Sequence, residues 1–213
     1  MPSSTMHLLV AQAVAQAGSI PLTGRFLLGN LAPDAVAMRN GYTPQDRERA
    51  HLRNPDWRAA WSQAGEVISL YPQDPFVIGA CIHILTDYLW LAQPYRYFKE
   101  HTPEGLSDRE ARARYYADVE ALDRYLFRQT GSHNLWSAAM AAQPQNFADL
   151  VSAAEVDMWR KDRYALLQQT KPMEPAQVLT VSMAQKFIES TARRLGRELD
   201  KILAQGGQND SQL

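Results

Sequence analysis

The stretch Phe76–Trp90, FVIGACIHILTDYLW, is the least polar in the chain, yet it holds a histidine and an aspartate one helical turn apart, His83 and Asp87. Asp74-Pro75 just before it pairs a capping side chain with proline at the first helical position, which predicts a helix starting there. From Phe76 to Leu91 that helix is apolar nearly all round, as expected of an element enclosed by other helices. Burying an imidazole or a carboxylate without a partner costs several kcal/mol, so something must hold the pair. Two solutions offer themselves: a metal ion, or a hydrogen-bonded His–Asp pair closing a polar gap in the core.

Working outward, capping and proline signals recur before segments of 3.6-residue periodicity, and no apolar–polar alternation is sustained anywhere. The expected class is all-α, a multi-helix bundle around a central buried helix at about residues 75–91. Ser3 or Ser4 caps a first helix to about Gly18, with His7 in its first turns. In GRFLLGNLAPDA, Pro33 ends any short helix and puts Asp34 at a bend or helix start. Thr43-Pro44 opens a short helix ending near His51, and Asn54-Pro55 a longer one. Ser107 with Glu110, and Ser152 with Glu155, read as capping boxes; Gly131 reads as a helix stop, His133 as a loop residue, and Pro175 as preceding the last long helix.

With 213 residues, the chain suits one domain, taken as residues 1–205, and the polar run at 206–213 reads as a disordered tail. A formal net charge of −1 gives no general attraction for nucleic acid or anionic lipid. The lone Cys81 excludes an internal disulfide and reads as a small core side chain. His83 and Asp87 interrupt the best membrane-span candidate, and the N-terminus lacks the basic flank of a signal peptide, so stable membrane insertion is not expected and a cytoplasmic location is. The sequence carries no signal for an oligomeric state.

On a helix, His83 and Asp87 at i, i+4 stand about 5–6 Å apart at Cβ and can reach one cation. Zinc suits an imidazole and a carboxylate, although manganese and iron accept the same donors. Three further groups are candidates by position: His7 near a helix start, Asp34 after the proline bend, and His51 at the end of a short helix. Taken singly, the histidines can be surface imidazoles and Asp34 a helix cap. Asp123 stands beside the apolar face of its helix, where it can supply an oxygen ligand or remain solvated or salt-bridged. Tyr88, Trp90, Tyr95, Tyr97 and Phe98 can line a pocket or fill the core.

The order MPSSTMHLLVAQAV, FLLGNLAPDAV, His51-Leu52 and GACIHILTDYLW resembles the zinc-dependent phospholipase C family, in particular its small bacterial members without a secretion signal, over about residues 1–130. The resemblance implies an all-helical hydrolase in which His7, Asp34, His51, His83 and Asp87 gather one or two zinc ions. It also implies that Asp87 bridges them and that Asp34 is either a ligand or the general base. Two departures stand out. The HxxxE arrangement that holds a third zinc in secreted members is missing, since TPEG follows His101, and Ala37 occupies a position where small relatives often carry histidine.

The function so implied is metal-dependent hydrolysis of a small phosphoester or a phospholipid. A helical phosphohydrolase of the HD type needs an adjacent His-Asp dipeptide, which the chain lacks. The other alternative is a non-catalytic metal-binding or scaffolding protein in which the His/Asp cluster is structural, with or without an ion.

Overall fold

A computed structural model describes residues 1–18, 20–129, 131–169 and 174–209. These form an all-α structure, 72% helical, with no strands among them. The helices are α1 (Ser4–Ala17), α2 (Gly24–Gly29), α3 (Pro44–Ala50), α4 (Trp57–Leu70), α5 (Pro75–Ala92), α6 (Pro94–His101), α7 (Asp108–Phe127), α8 (Ser132–Ala141), α9 (Ala153–Gln168) and α10 (Val181–Asn209), with a 3₁₀ helix at Pro33–Met38 between α2 and α3.

Local chemistry sets most of these boundaries. Ser3, Thr23, Thr43, Asp74, Ser107 and Ser152 each accept a backbone N–H in the first turn of the helix they open, and Thr43, Ser107 and Ser152 complete reciprocal capping boxes. Four expectations shift. The cap of α4 is Asp56 rather than Asn54, whose side chain instead accepts from the Asp56 N–H. Gly131, at φ 101°, precedes α8 rather than closing α7, whose C-cap is Arg128; the positive φ suits a residue without Cβ. His133 is helical, because α8 begins at Ser132. Pro175 lies several residues before α10, which starts at Val181. The expected tail from 206 is also shortened: α10 continues to Asn209, and 210–213 lie outside the described residues.

Helix α5 is the hub: α1, α2, α4, α6, α10 and the 3₁₀ helix all touch it. The segment Pro75–His101 is long and apolar enough to cross a membrane by length and composition, contrary to the reading that His83 and Asp87 disqualify it. Its most apolar window is 72% buried inside the molecule, which is how a core helix is placed. Cys81 is fully buried there, and desolvation pushes its thiol up to about 12, consistent with a core side chain.

The α2–α5 crossing is closest where two glycines meet. A Cβ on Gly79 would stand 2.2 Å from the Phe26 carbonyl oxygen, and one on Gly29 would stand 2.0 Å from that of Phe76. Neither position admits a side chain without moving backbone. The close approach brings the end of α2 onto the middle of α5, and Asn30 Nδ2 donates to the Gly79 carbonyl at 3.0 Å to lock it.

Candidate metal centre

All five residues singled out from the sequence converge. His83 and Asp87 point from the same face of α5; His7 comes from α1, Asp34 from the first turn of the 3₁₀ helix, and His51 is the C-cap of α3. His7 and His83 are fully buried, and His51 and Asp87 nearly so. Asp34 is the member open to the exterior, its side chain 19% exposed.

The donor atoms stand at ligand spacing. His7 Nε2 is 3.5 Å from Asp87 Oδ1, His51 Nε2 is 3.3 Å from Asp34 Oδ1 and 3.7 Å from Asp87 Oδ2, and His83 Nε2 is 3.9 Å from Asp87 Oδ2 and 4.0 Å from Asp34 Oδ1. Two groups, His7/His83/Asp87 and Asp34/His51/His83, each have one donor per residue within 4.8 Å of the others. Two ligands bound tetrahedrally at 2.0–2.2 Å lie about 3.3–3.6 Å apart, so the observed separations are close to those an ion imposes. They exceed good hydrogen-bond lengths.

Asp34 apart, none of these facing atoms has a hydrogen-bond partner among the described residues. His7 Nδ1 and Nε2, His51 Nε2, His83 Nε2 and both Asp87 oxygens are buried without a hydrogen-bond partner. Buried polar atoms are almost always paired, so this concentration in one place calls for a partner. The donors fit a divalent cation.

Two backbone carbonyls fix the ring orientations. His83 Nδ1 lies 2.8 Å from the Asn30 carbonyl oxygen and His51 Nδ1 lies 2.9 Å from that of Arg47. A carbonyl only accepts, so each Nδ1 carries a proton and each Nε2 is left facing the cluster. The His7 and His83 rings stack at 3.7 Å with an 8° interplanar angle, so the two imidazoles stand side by side rather than edge to edge.

Electrostatics keep the ligands in their binding forms. Desolvation, reinforced by neighbouring His7, lowers the His83 pKa to about 3, so the imidazole is neutral. Burial pushes both Asp34 and Asp87 up, but the imidazoles beside them outweigh it: mainly His51 and His83 for Asp34, and His7 and His83 for Asp87. Both carboxyls are held below the usual carboxylate range.

Leu52, immediately after His51, adopts φ 45°, a left-handed conformation that a branched side chain takes at a cost of about 1–2 kcal/mol. It ends α3 abruptly and leaves His51 facing inward, and no sequence signal marks it.

Other candidates lie elsewhere. Asp123 is neither a ligand nor salt-bridged: its Oδ1 accepts the Thr5 backbone N–H at 2.9 Å, tying α7 to the first turn of α1, and burial raises its pKa. His101 is exposed, stacks on Tyr97 and bonds the Tyr97 carbonyl. Exposed His133 packs on Phe127. Ala37 is exposed on the 3₁₀ helix, one turn from Asp34. Of the aromatic group, Trp90 is core and donates to the Tyr115 hydroxyl, while Tyr95 and Phe98 do line a cleft. The orienting carbonyls of Asn30 and Arg47 escaped sequence reading, since a main-chain acceptor has no residue code; Gly79 inside an apolar helix was the one available hint of close approach.

In comparisons with known proteins, no family model, no curated protein and no solved structure matches the chain.

Proposed function

We propose that the chain is a metal-dependent phosphoester hydrolase, similar in its site to the zinc-dependent phospholipase C family. The observation that carries this reading is the set of orphaned donors: three imidazole nitrogens and both Asp87 oxygens, facing one another with no hydrogen-bond partner. His7, Asp34, His51, His83 and Asp87 would hold one or two divalent ions. A divalent ion so held supplies Lewis acidity, lowering the pKa of water and stabilising negative charge on phosphoryl oxygen.

The residues supply the rest. His51 and His83 stay aimed at the cluster because their Nδ1 protons are committed to carbonyls. Asp34, the ligand reachable from outside, accepts the proton of the attacking water or completes the ligand shell. A structural site of the scaffolding alternative would be closed by four groups, whereas five candidate ligands and an exposed carboxylate favour an open one.

Metal quantification on protein purified without chelator, coupled to a screen of aryl phosphomonoesters and phosphodiesters, tests the reading. Stoichiometric zinc, manganese or iron with metal-dependent turnover is expected. Unchanged metal content and activity in His83→Ala would defeat it.

A further inference from the structure

Beside the cluster lies a cleft of about 780 Å³. Arg53 and Leu91 line both this cleft and the small recess bordered by His51 and Asp87, so cluster and cleft share a wall. Tyr115 on the cleft side lies in the field of the cluster: burial first, and then the Asp87 charge, push its hydroxyl pKa up.

The charged lining is lopsided. Arg47, Arg53, Lys99 and Arg112 face it against only Glu104 and Asp108, in a chain whose net charge is −1. None of these four cations forms an ion pair among the described residues. By contrast Arg96, on the same helix as Lys99, is held by Glu100 at 2.8 Å. Arg53 has only the Met1 sulfur at 3.5 Å, and Arg112 lies 5.7 Å over the Tyr116 ring. Tyr95, Phe98 and Leu106 add apolar surface to the same walls. Unpaired cations over an apolar floor suit an organic anion and repel a cationic headgroup.

We infer that this cleft seats the non-reacting portion of the phosphoester, and that it selects an anionic group there over a neutral one and a neutral one over a choline-like cation. The inference rests on the hydrolase reading for its reaction but not for its binding preference.

Three p-nitrophenyl phosphodiesters that share the leaving group and differ only in the second alcohol test it: glycolate, ethanol and choline. With the metal-loaded full chain, kcat/KM is expected to fall in that order. The glycolyl-over-cholinyl ratio should drop about tenfold in Arg53→Gln and less in Lys99→Gln, with Arg53→Lys restoring most of it. Preference for the choline ester, or a ratio that neither substitution moves, overturns the inference while leaving the hydrolase reading intact. Should none of the three diesters turn over, the hydrolase reading rests on the phosphomonoester arm of the screen above. The cleft is then decided by calorimetry of ethyl glycolyl phosphodiester on metal-free protein: binding that Arg53→Gln weakens upholds the anion site, and absence of binding removes it.

Discussion

Asp87 and Asp118 are both buried carboxylates, 4% and 3% exposed, and the fold treats them in opposite ways. Asp118 accepts three successive backbone N–H groups, from Gln177, Val178 and Leu179, at 2.7–2.9 Å. It anchors the approach to α10, and its charge is answered within the chain. Asp87 has imidazoles on three sides and no hydrogen bond among the described residues. A chain able to surround one carboxylate with donors has left the other to be completed from outside. Asp118 is therefore a structural residue and Asp87 one that could hold a metal ion, although both are aspartates on apolar-faced helices.

The sharpest way to break this contrast is substitution at the open member. Asp87→Asn is expected to empty the metal centre and lower metal-dependent phosphoesterase turnover by about 1,000-fold, the scale of removing a preorganised charge-stabilising group. Elemental analysis beside the kinetics separates a lost ion from a slowed reaction. In metal-free protein the same substitution should cost less than removal of Asp118, because Asp87 holds no backbone donor.

Asp118→Ala should do the reverse. It strands three backbone donors and is expected to cost about 3 kcal/mol in urea unfolding while leaving metal stoichiometry unchanged. Equal stability losses for Asp87→Asn and Asp118→Ala in metal-free protein would erase the distinction.

Gly79→Ala sharpens the comparison at one remove. It forces a Cβ against the Phe26 carbonyl and should cost about 1–3 kcal/mol, with weaker metal binding because the Asn30 carbonyl that orients His83 shifts as well. Unaltered metal affinity would show that the carbonyl is dispensable.

The smallest effect expected is a pH dependence. His83 titrates near 3 in the folded chain and at an ordinary 6.5 unfolded, so the unfolded state takes up the proton first as pH falls. Stability of metal-free protein is full above about pH 6.5 and declines below it, by roughly 1.4 kcal/mol at pH 5.5. Asp34 and Asp87, with lowered pKa values, add their own loss only below the ordinary carboxylate range near 3.8. Unfolding at pH 7 and 5.5 in wild type and His83→Gln should show the difference shrink in the variant.

The helical class and the hub were legible because α5 advertises itself: proline and aspartate at its start, apolar residues all round, and two polar intruders at i, i+4. The clustered side chains were legible too, since histidines are few: His7 and His51 sat at helix ends, and His83 stood one turn from Asp87 in an apolar helix. What the sequence hid was main-chain chemistry. The carbonyls of Asn30 and Arg47, the left-handed turn at Leu52 and the three amides around Asp118 depend on backbone positions that no side-chain pattern encodes. Boundaries failed where two signals competed, as at Asn54 against Asp56, and at Gly131, where the positive φ belongs to the start of the next helix rather than the end of the last.

The first candidate ligand in the chain, His7, rides on α1, and α1 lies against α10, which is synthesised long after it. During translation, Asp34, His51, His83 and Asp87 leave the ribosome long before α10 exists to clasp α1. Assembly of the centre thus has a built-in order: the four later donors can gather early, and the packing of α1, which carries His7, is completed only when α10 closes over it.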